Sequence, residues 1–459
     1  MPSLPPQPLS PLDGRYRKAV GNLGDFLSEA GLNRARVHVE VEWIAFLTER
    51  SMFGSTPLAP EQLAQLRDWA ATFGQEEIDR LAEIEAVTQH DVKAVEYLVR
   101  EQLDRQGLSS IAELTHICCT SEDINNLSYA LTIKQAVSEV WQPKLEAVIG
   151  ELAEQANRYR AVPMMSRTHG QPATPTTLGK ELAVFVHRLR RQLQQLDGIE
   201  YLGKFSGATG TFAAHLSADP EADWRALASE FVTGLGLTFN PLTTQIESHD
   251  WQAELFSRVI HTNRILHNLA TDIWSYISIG YFRQIPVAGA TGSSTMPHKV
   301  NPIRFENAEA NLELSNAVLG SLAETLVTSR WQRDLTDSSA QRNIGVGFGH
   351  SALALDNLLR GLGQIDAAKE VLAADLDSNW EVLAEAIQTV IRAEVTAGRS
   401  DISDPYAALK ELTRGRRIGQ QELQEFVSGL NIGDDAKQRL LKLTPATYTG
   451  VAEALVELI

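Results

Sequence analysis

Cysteine is nearly absent: 459 residues contain two, the neighbours Cys118 and Cys119. Adjacent cysteines offer neither a useful disulfide nor the spacing of a zinc site, and a reducing, cytoplasmic setting is expected. No uninterrupted apolar run reaches membrane-spanning length, and the opening MPSLPPQPLSP lacks the basic-then-apolar order of a secretory signal. Basic residues are outnumbered, 41 against 58 acidic, for a formal net charge of -17. That deficit excludes the broad cationic field a nucleic acid or anionic membrane requires, so any anionic ligand must be met by local cations. No fixed-period repeat occurs. The glycine-rich GVGFGH from Gly345 lacks the third glycine of the dinucleotide fingerprint and follows no strand pattern, which argues against a nicotinamide enzyme. Neither a GxxxxGKS/T phosphate loop nor an HExxH pair is present, and no metal or cofactor is expected.

Helical periodicity is what the chain has in quantity. Between Gln252 and Gly280, the residues Leu255, Val259, Thr262, Leu266, Leu269, Ile273 and Tyr276 alternate at spacings of four and three. This predicts a helix of about 30 residues, about 45 Å long. The same pattern runs through Phe305, Ala308, Leu312, Ser315, Leu319, Leu322 and Leu326, and through Leu178, Leu182, Phe185, Leu189, Leu193 and Leu196. Strand-like alternation is scarce, with short stretches such as Leu237 to Asn240 able to pair locally. The expectation is a mostly α chain: an N-terminal helical domain over 1–111, a central bundle of long helices over 112–363 and a C-terminal helical domain over 364–459. Heptad-like seams on an acidic chain are commonly completed by further copies of it, so a homo-oligomer is expected.

Four polar stretches interrupt the helices: TQHD (Thr88–Asp91), TSEDINN (Thr120–Asn126), SRTHGQPATP (Ser166–Pro175) and GATGSSTMPHKVNP (Gly289–Pro302). Thr88 with Asp91 and Thr120 with Asp123 fit the capping box, a hydroxyl three residues before a carboxylate, and are read first as helix caps. His169, flanked by Gly170 and fenced by Pro172 and Pro175, is read on a loop, where general acids tend to be found and where most histidines are simply solvated. The last stretch ends in Asn301 and Pro302, an N-cap residue before one suited to the first helical position, so Lys299 and Asn301 are expected beside unpaired N–H groups and a positive dipole end. That is an anion site. Arg15, Arg330, Arg333 and Arg342 are isolated basic residues, each alone a weak signal in so acidic a chain.

GSSTMPHKVNP (Gly292–Pro302) resembles the signature loop of the fumarase, aspartase and argininosuccinate lyase superfamily, whose members eliminate fumarate from succinyl-type substrates. Taken with TSEDINN, SRTHGQPATP and RWQRDLTDSS, its MPHK is similar to the adenylosuccinate lyase family in its longer bacterial form. Fumarases usually have a glycine, and argininosuccinate lyases a glutamine, where His298 stands. The resemblance extends from SPLDGRY (Ser10–Tyr16) through TPATYTG (Thr444–Gly450). It implies a three-domain helical subunit, a twenty-helix bundle in a homotetramer, and active sites that combine loops from three subunits. It further implies Ser293 as general base, His169 as general acid, and His90, next to Asp91, as an orienting histidine. Thr120, Ser121, Ser294, Lys299 and Asn301 match positions that hold the succinyl carboxylates, and Arg15, Tyr16, Gln245, Asn307, Arg333, Ser338 and Arg342 match positions around the nucleotide and its phosphate. The substrates implied are adenylosuccinate and its imidazole-carboxamide analogue, SAICAR. Argininosuccinate or another succinyl compound is the rival within this chemistry, and a non-catalytic helical scaffold the rival outside it.

Overall fold

The computed structural model describes residues 7–286, 296, 300–413 and 418–459. Ser293, Ser294, His298 and Lys299 lie outside the described residues. Along the chain run helices α1 (Glu29–Glu49), α2 (Asp91–Arg105), α3 (Ser121–Gln135) and α4 (Gln142–Arg158), strands β1 (Pro163–Thr168) and β2 (Gln171–Thr177), and helix α5 (Leu178–Leu196). Strands β3 (Leu202–Gly203) and β4 (Thr238–Phe239) precede α6 (Asp250–Ser278), β5 (Phe282–Gln284), α7 (Ile303–Leu326), the short α8 (Thr336–Gln341) and α9 (Ile344–Leu362). Strand β6 (Ile365–Ala367), α10 (Lys369–Asp377) and α11 (Ala384–Thr396) follow.

The three predicted seams are helices, and they are buried except at Leu193 and Tyr276, which are half-buried. Helix α6 has 29 residues, and Leu255, Val259, Thr262, Leu266, Leu269 and Ile273 along it are inaccessible to solvent. The stretch Leu237–Asn240 does pair locally, as β4 beside β3 in a parallel two-stranded ribbon. GVGFGH is the first part of α9. A Cβ on Gly345 would sit 2.8 Å from the Leu27 carbonyl oxygen, one on Gly347 2.6 Å from Leu319 and one on Gly349 2.8 Å from Leu12. These glycines admit close neighbours to a helix and do not cradle phosphates.

Two compact units emerge from the packing. The first comprises Met1–Leu145, Gln192–Arg264 and Ala310–Asp356, and the second Glu146–Arg191, Ile265–Glu309 and Asn357–Ile459. In the first, Trp43 packs against Phe205 and Phe231 with ring centroids 4.5 and 5.0 Å away. A polar thread also crosses its helices. Trp141 Nε1 donates to Ser351 Oγ (2.8 Å), which donates to Asn263 Oδ1 (2.8 Å), while Asn263 Nδ2 donates to Ser315 Oγ and Asn316 Oδ1 (3.0 Å each). All five residues are buried, so each hydrogen bond is costly to leave unmade. Within the second unit, the C-terminal helices close around a core of their own that includes Trp380, Leu383, Ile387, Ile391, Leu423, Val427 and Leu440.

Two local expectations are corrected. The cap of α2 is His90, whose Nδ1 accepts the Lys93 amide at 3.2 Å, while Thr88 ends the preceding helix. SRTHGQPATP, read as a loop, forms most of an antiparallel hairpin in which Thr168 faces Gln171. Pro172 and Pro175 hid the strand pattern. A two-stranded hairpin leaves both strands with an open edge, where a missing N–H does no harm.

Candidate active site

Three arginines of the first unit define one charged network. Arg36, on α1, is 2% exposed. A guanidinium cannot shed its proton, so its burial demands acceptors. It has three: Asn125 Oδ1 at 2.8 Å, Asn33 Oδ1 at 2.8 Å and Asp91 Oδ2 at 2.9 Å. Asp91 also accepts the Val92 amide at 2.8 Å and Arg342 at 2.9 Å. Burial alone would raise the Asp91 pKa, but Arg36, the Val92 amide and Arg342 together hold the carboxyl below the ordinary range. Arg342, at the C-terminal end of α8, is gripped further by both oxygens of Glu29, and that contact, more than burial opposes it, strengthens its hold on the proton.

The network continues from Asn125, whose Nδ2 donates to Glu122 Oε1 at 2.7 Å. The same oxygen pairs with Arg333 Nη2 at 2.9 Å. Arg333 also reaches Gln245 Oε1 (3.5 Å) and Asp337 Oδ1 (3.6 Å). Beyond Asp337 lies His249, with Nε2 at 3.5 Å from the carboxylate and Nδ1 at 3.5 Å from the amide nitrogens of both Gln252 and Gln341. Two amide donors make Nδ1 the acceptor and direct the ring proton on Nε2 to Asp337. Burial would raise the Asp337 pKa, and His249, Arg333 and the Ser338 amide outweigh it, so the carboxyl is held low. Gln341 and Arg342 also line a cavity of about 610 Å³, shared with Glu29, Tyr129 and Arg17. That volume falls within the ~300–1,000 Å³ of small-molecule sites.

The N-terminus of α3 is held as firmly. Thr120 is its N-cap, with its amide donating to Asp123 Oδ2 at 2.8 Å, and Ser121 is its first residue. Asp123 in turn pairs with Lys204 at 2.9 Å, and neither side chain is exposed at all. Just upstream, His116 and Cys118 adopt φ of 59° and 64°. His116 Nδ1 lies 2.6 Å from Glu40 and Nε2 3.6 Å from Glu96. Burial would lower the His116 pKa, but Glu40, Glu96 and Asp123 raise it overall.

In the second unit His169 is exposed at the tip of the β1–β2 hairpin. The two-residue turn is His169–Gly170, with φ of 53° and 75°. Hairpin turns of this kind need positive φ at both positions, which glycine supplies freely and histidine tolerates better than most residues. Asn301 precedes Pro302, whose carbonyl accepts the Phe305 and Glu306 amides at 3.1 and 3.3 Å. The helix therefore starts one residue later than the Asn–Pro reading, with Pro302 as its cap. Asn307 is half-buried, the fifth residue of α7.

Of the residues named from sequence, Asp91, Gln245, Arg333 and Arg342 join the network directly. His90 and Ser338 are chain neighbours of network carboxylates, and the Ser338 amide bonds Asp337 at 2.6 Å. Arg15 is exposed, with its guanidinium 5.8 Å from the Tyr16 ring, and is not brought to the network. Sequence reasoning missed Arg36, Glu122, Asn125, Asp337, His249 and Gln341. A signal existed for one of them: Leu32, Arg36, Glu40, Trp43 and Leu47 share one buried face of α1, so Arg36 stood with a second charged residue in an otherwise apolar seam.

A family profile described as "Lyase" matches residues 14–319, and one described as "Adenylosuccinate lyase C-terminal" matches residues 329–449. The chain is 48% identical over 451 residues to adenylosuccinate lyase from Haemophilus influenzae, covering 98% of both chains. Identity to adenylosuccinate lyase of Escherichia coli K12 is also 48% over 451 residues, with 98% of both covered. Among solved structures, a fumarate lyase from Mesorhizobium sp. BNC1 superposes with a TM-score of 0.75 at 19% identity, covering 95% of this chain and 96% of that one. The 3-carboxy-cis,cis-muconate lactonizing enzyme from Pseudomonas putida superposes with a TM-score of 0.74 at 20% identity, covering 97% and 98%. At such identities the structural likeness speaks for the fold.

Proposed function

The chain belongs to the adenylosuccinate lyase family, and from that premise we propose how its residues divide the work of a C–N lyase. It eliminates fumarate from adenylosuccinate, giving AMP, and from SAICAR, giving AICAR. A proton leaves the carbon beside one succinyl carboxylate, the electron pair forms the new C=C bond, the C–N bond breaks, and the leaving group takes up a proton as it departs. Ser293 is the base and His169 the acid. Serine can act as base only where water is excluded and positive potential favours the alkoxide, a field assigned to Lys299 and the start of α7. Charge developing on the carboxylate is met by Lys299, Asn301, Thr120, Ser121 and Ser294. An imidazolium on the opposite side gives up its proton to the leaving nitrogen.

The observation that carries the reading is the convergence of Gln245, Arg333, Arg342 and Asp91 on one network beside a cavity of about 610 Å³. Arg333 and Arg342 meet the nucleotide and its phosphate, a role assigned also to Arg15, Tyr16, Asn307 and Ser338 in the assembled tetramer, and His90 orients the succinyl group. Glu29 has the most exposed side chain of the network carboxylates, 57%, and now occupies Arg342 Nη1, a donor that a phosphate would use. Three domains (1–111, 112–363 and 364–459), a homotetramer with active sites shared between subunits and a cytoplasmic location complete the proposal. The test is release of fumarate from the two succinyl nucleotides, followed by absorbance, with argininosuccinate as control. Turnover of argininosuccinate alone, or of none of the three, would sink the assignment.

A further inference from the structure

The hairpin that presents His169 is fastened on both of its strands by carboxylates from later in the chain. On β1, Arg167 Nη2 donates to Asp375 Oδ2 at 2.6 Å, and the same oxygen accepts the Tyr281 hydroxyl. Asn379 Nδ2 donates to the Asp375 carbonyl at 2.6 Å and lies 3.3 Å from its Oδ1, so the acceptor itself is oriented. Tyr281 is anchored in turn, because β5 pairs with β6 and the Ala368 amide bonds the Tyr281 carbonyl at 2.9 Å. Burial first, and the Asp375 contact second, push the Tyr281 pKa up, which keeps its hydroxyl a neutral donor. On β2, the Thr174 hydroxyl donates to Glu385 Oε2, which also accepts the Tyr448 hydroxyl at 3.2 Å. Across the hairpin, the Ser166 hydroxyl bonds the Thr174 carbonyl.

Stability alone does not account for this arrangement. The Arg167 and Asp375 side chains are 32% and 24% exposed, and partly solvated ion pairs contribute little to stability. Placement does account for it. Arg167 is two residues from His169, and the intervening backbone is committed to the strand and to a turn with both φ values positive, so little slack separates fastener from ring. We infer that Asp375 and Glu385 are positioning residues for His169: from opposite strands they fix the hairpin and with it the direction in which the tip presents the imidazole. This rests on the general-acid role of His169. A displacement of about 1 Å in such a group costs on the order of 100-fold in rate.

The experiment is a double-mutant cycle in the full-length enzyme. Asp375→Ala and Glu385→Ala should each lower kcat about 10- to 100-fold, with KM and thermal midpoint close to native. Asp375→Asn, which keeps the side chain's size and an acceptor oxygen, should lose less, and stands in should the alanine variant fail to fold. Combined with His169→Ala, either change should lower the residual rate no further, because the group being positioned is gone. A loss that multiplies in the His169→Ala background would mean that the fasteners act through the fold at large, and the inference fails. Native turnover in His169→Ala overturns the general-acid reading. Impaired His169→Ala with native kcat in both fastener variants overturns the positioning alone.

Discussion

Arg36 and His169, the proposed general acid, mark two ways in which this chain holds a polar side chain. Arg36 is sealed in the first unit with three acceptors, and its Asp91 partner binds a second arginine. His169 stands exposed on a two-residue turn in the second unit, located by backbone geometry and by fasteners at Arg167 and Thr174. The contrast suits two tasks. Binding a charged nucleotide gains from donors already fixed and desolvated before the ligand arrives. Giving up a proton requires an imidazole that the substrate can reach. Damage to the first region should therefore cost stability and affinity together, and damage to the second should cost turnover alone.

The largest effect expected from that contrast is kinetic. His169→Ala should lower kcat by about 100- to 10,000-fold, the usual worth of a general acid, with KM and thermal midpoint near native. A variant that melted early would erase the distinction. Next comes Lys204→Met, which strands the Asp123 carboxylate in the core and should cost about 3–5 kcal/mol of stability, read from denaturant unfolding. Smaller is the effect of Glu29→Gln, which removes the carboxylate charge held on Arg342 Nη1 without emptying the network. It should lower KM for adenylosuccinate several-fold and leave kcat alone, and a raised KM would show that Glu29 assists the nucleotide.

The first region should also carry a pH signature in its stability. The folded-state pKa of His116 is raised, so its contribution to stability is complete below the unfolded value of about 6.5 and is lost as pH rises through the folded value. The gap in thermal midpoint between the native chain and His116→Gln should accordingly be widest in mild acid and narrow toward alkaline pH. Asp91 and Asp337 run the other way: their depressed values give stability above the unfolded carboxylate pKa that is lost as pH falls through the folded one. The smallest change is Gly170→Ala, which places a Cβ at a φ of 75° and should cost about 1 kcal/mol. It should lower kcat more than KM.

Much of this was legible beforehand, for identifiable reasons. The seams of α5, α6 and α7 could be read because a 3.6-residue period survives any choice of neighbours. Arg333, Arg342 and Gln245 could be named because the motifs around them resemble a known family. Glu122 and Asn125 sat inside a quoted motif and were passed over, since TSEDINN also satisfies a helix cap, and Asp123 does serve one. His249 and Gln341 left no trace in the sequence: their partners lie 88 and 92 residues away, a distance that local patterns do not span. The hairpin at His169 was misread because its prolines and its turn histidine each speak against a strand when taken singly.

Asn263, with Ser351, Ser315 and Trp141, has a bearing on anyone who re-engineers these helices. Leucine seams are interchangeable, so a helix slid by one turn, about 5.4 Å, could still bury its stripe. Buried polar contacts such as this quartet tell one alignment from the next. Substituting leucine for Asn263 would take the buried partner from Ser351, Ser315 and Asn316 at once, so the variant should melt earlier and also lose contacts that fix its helix alignment.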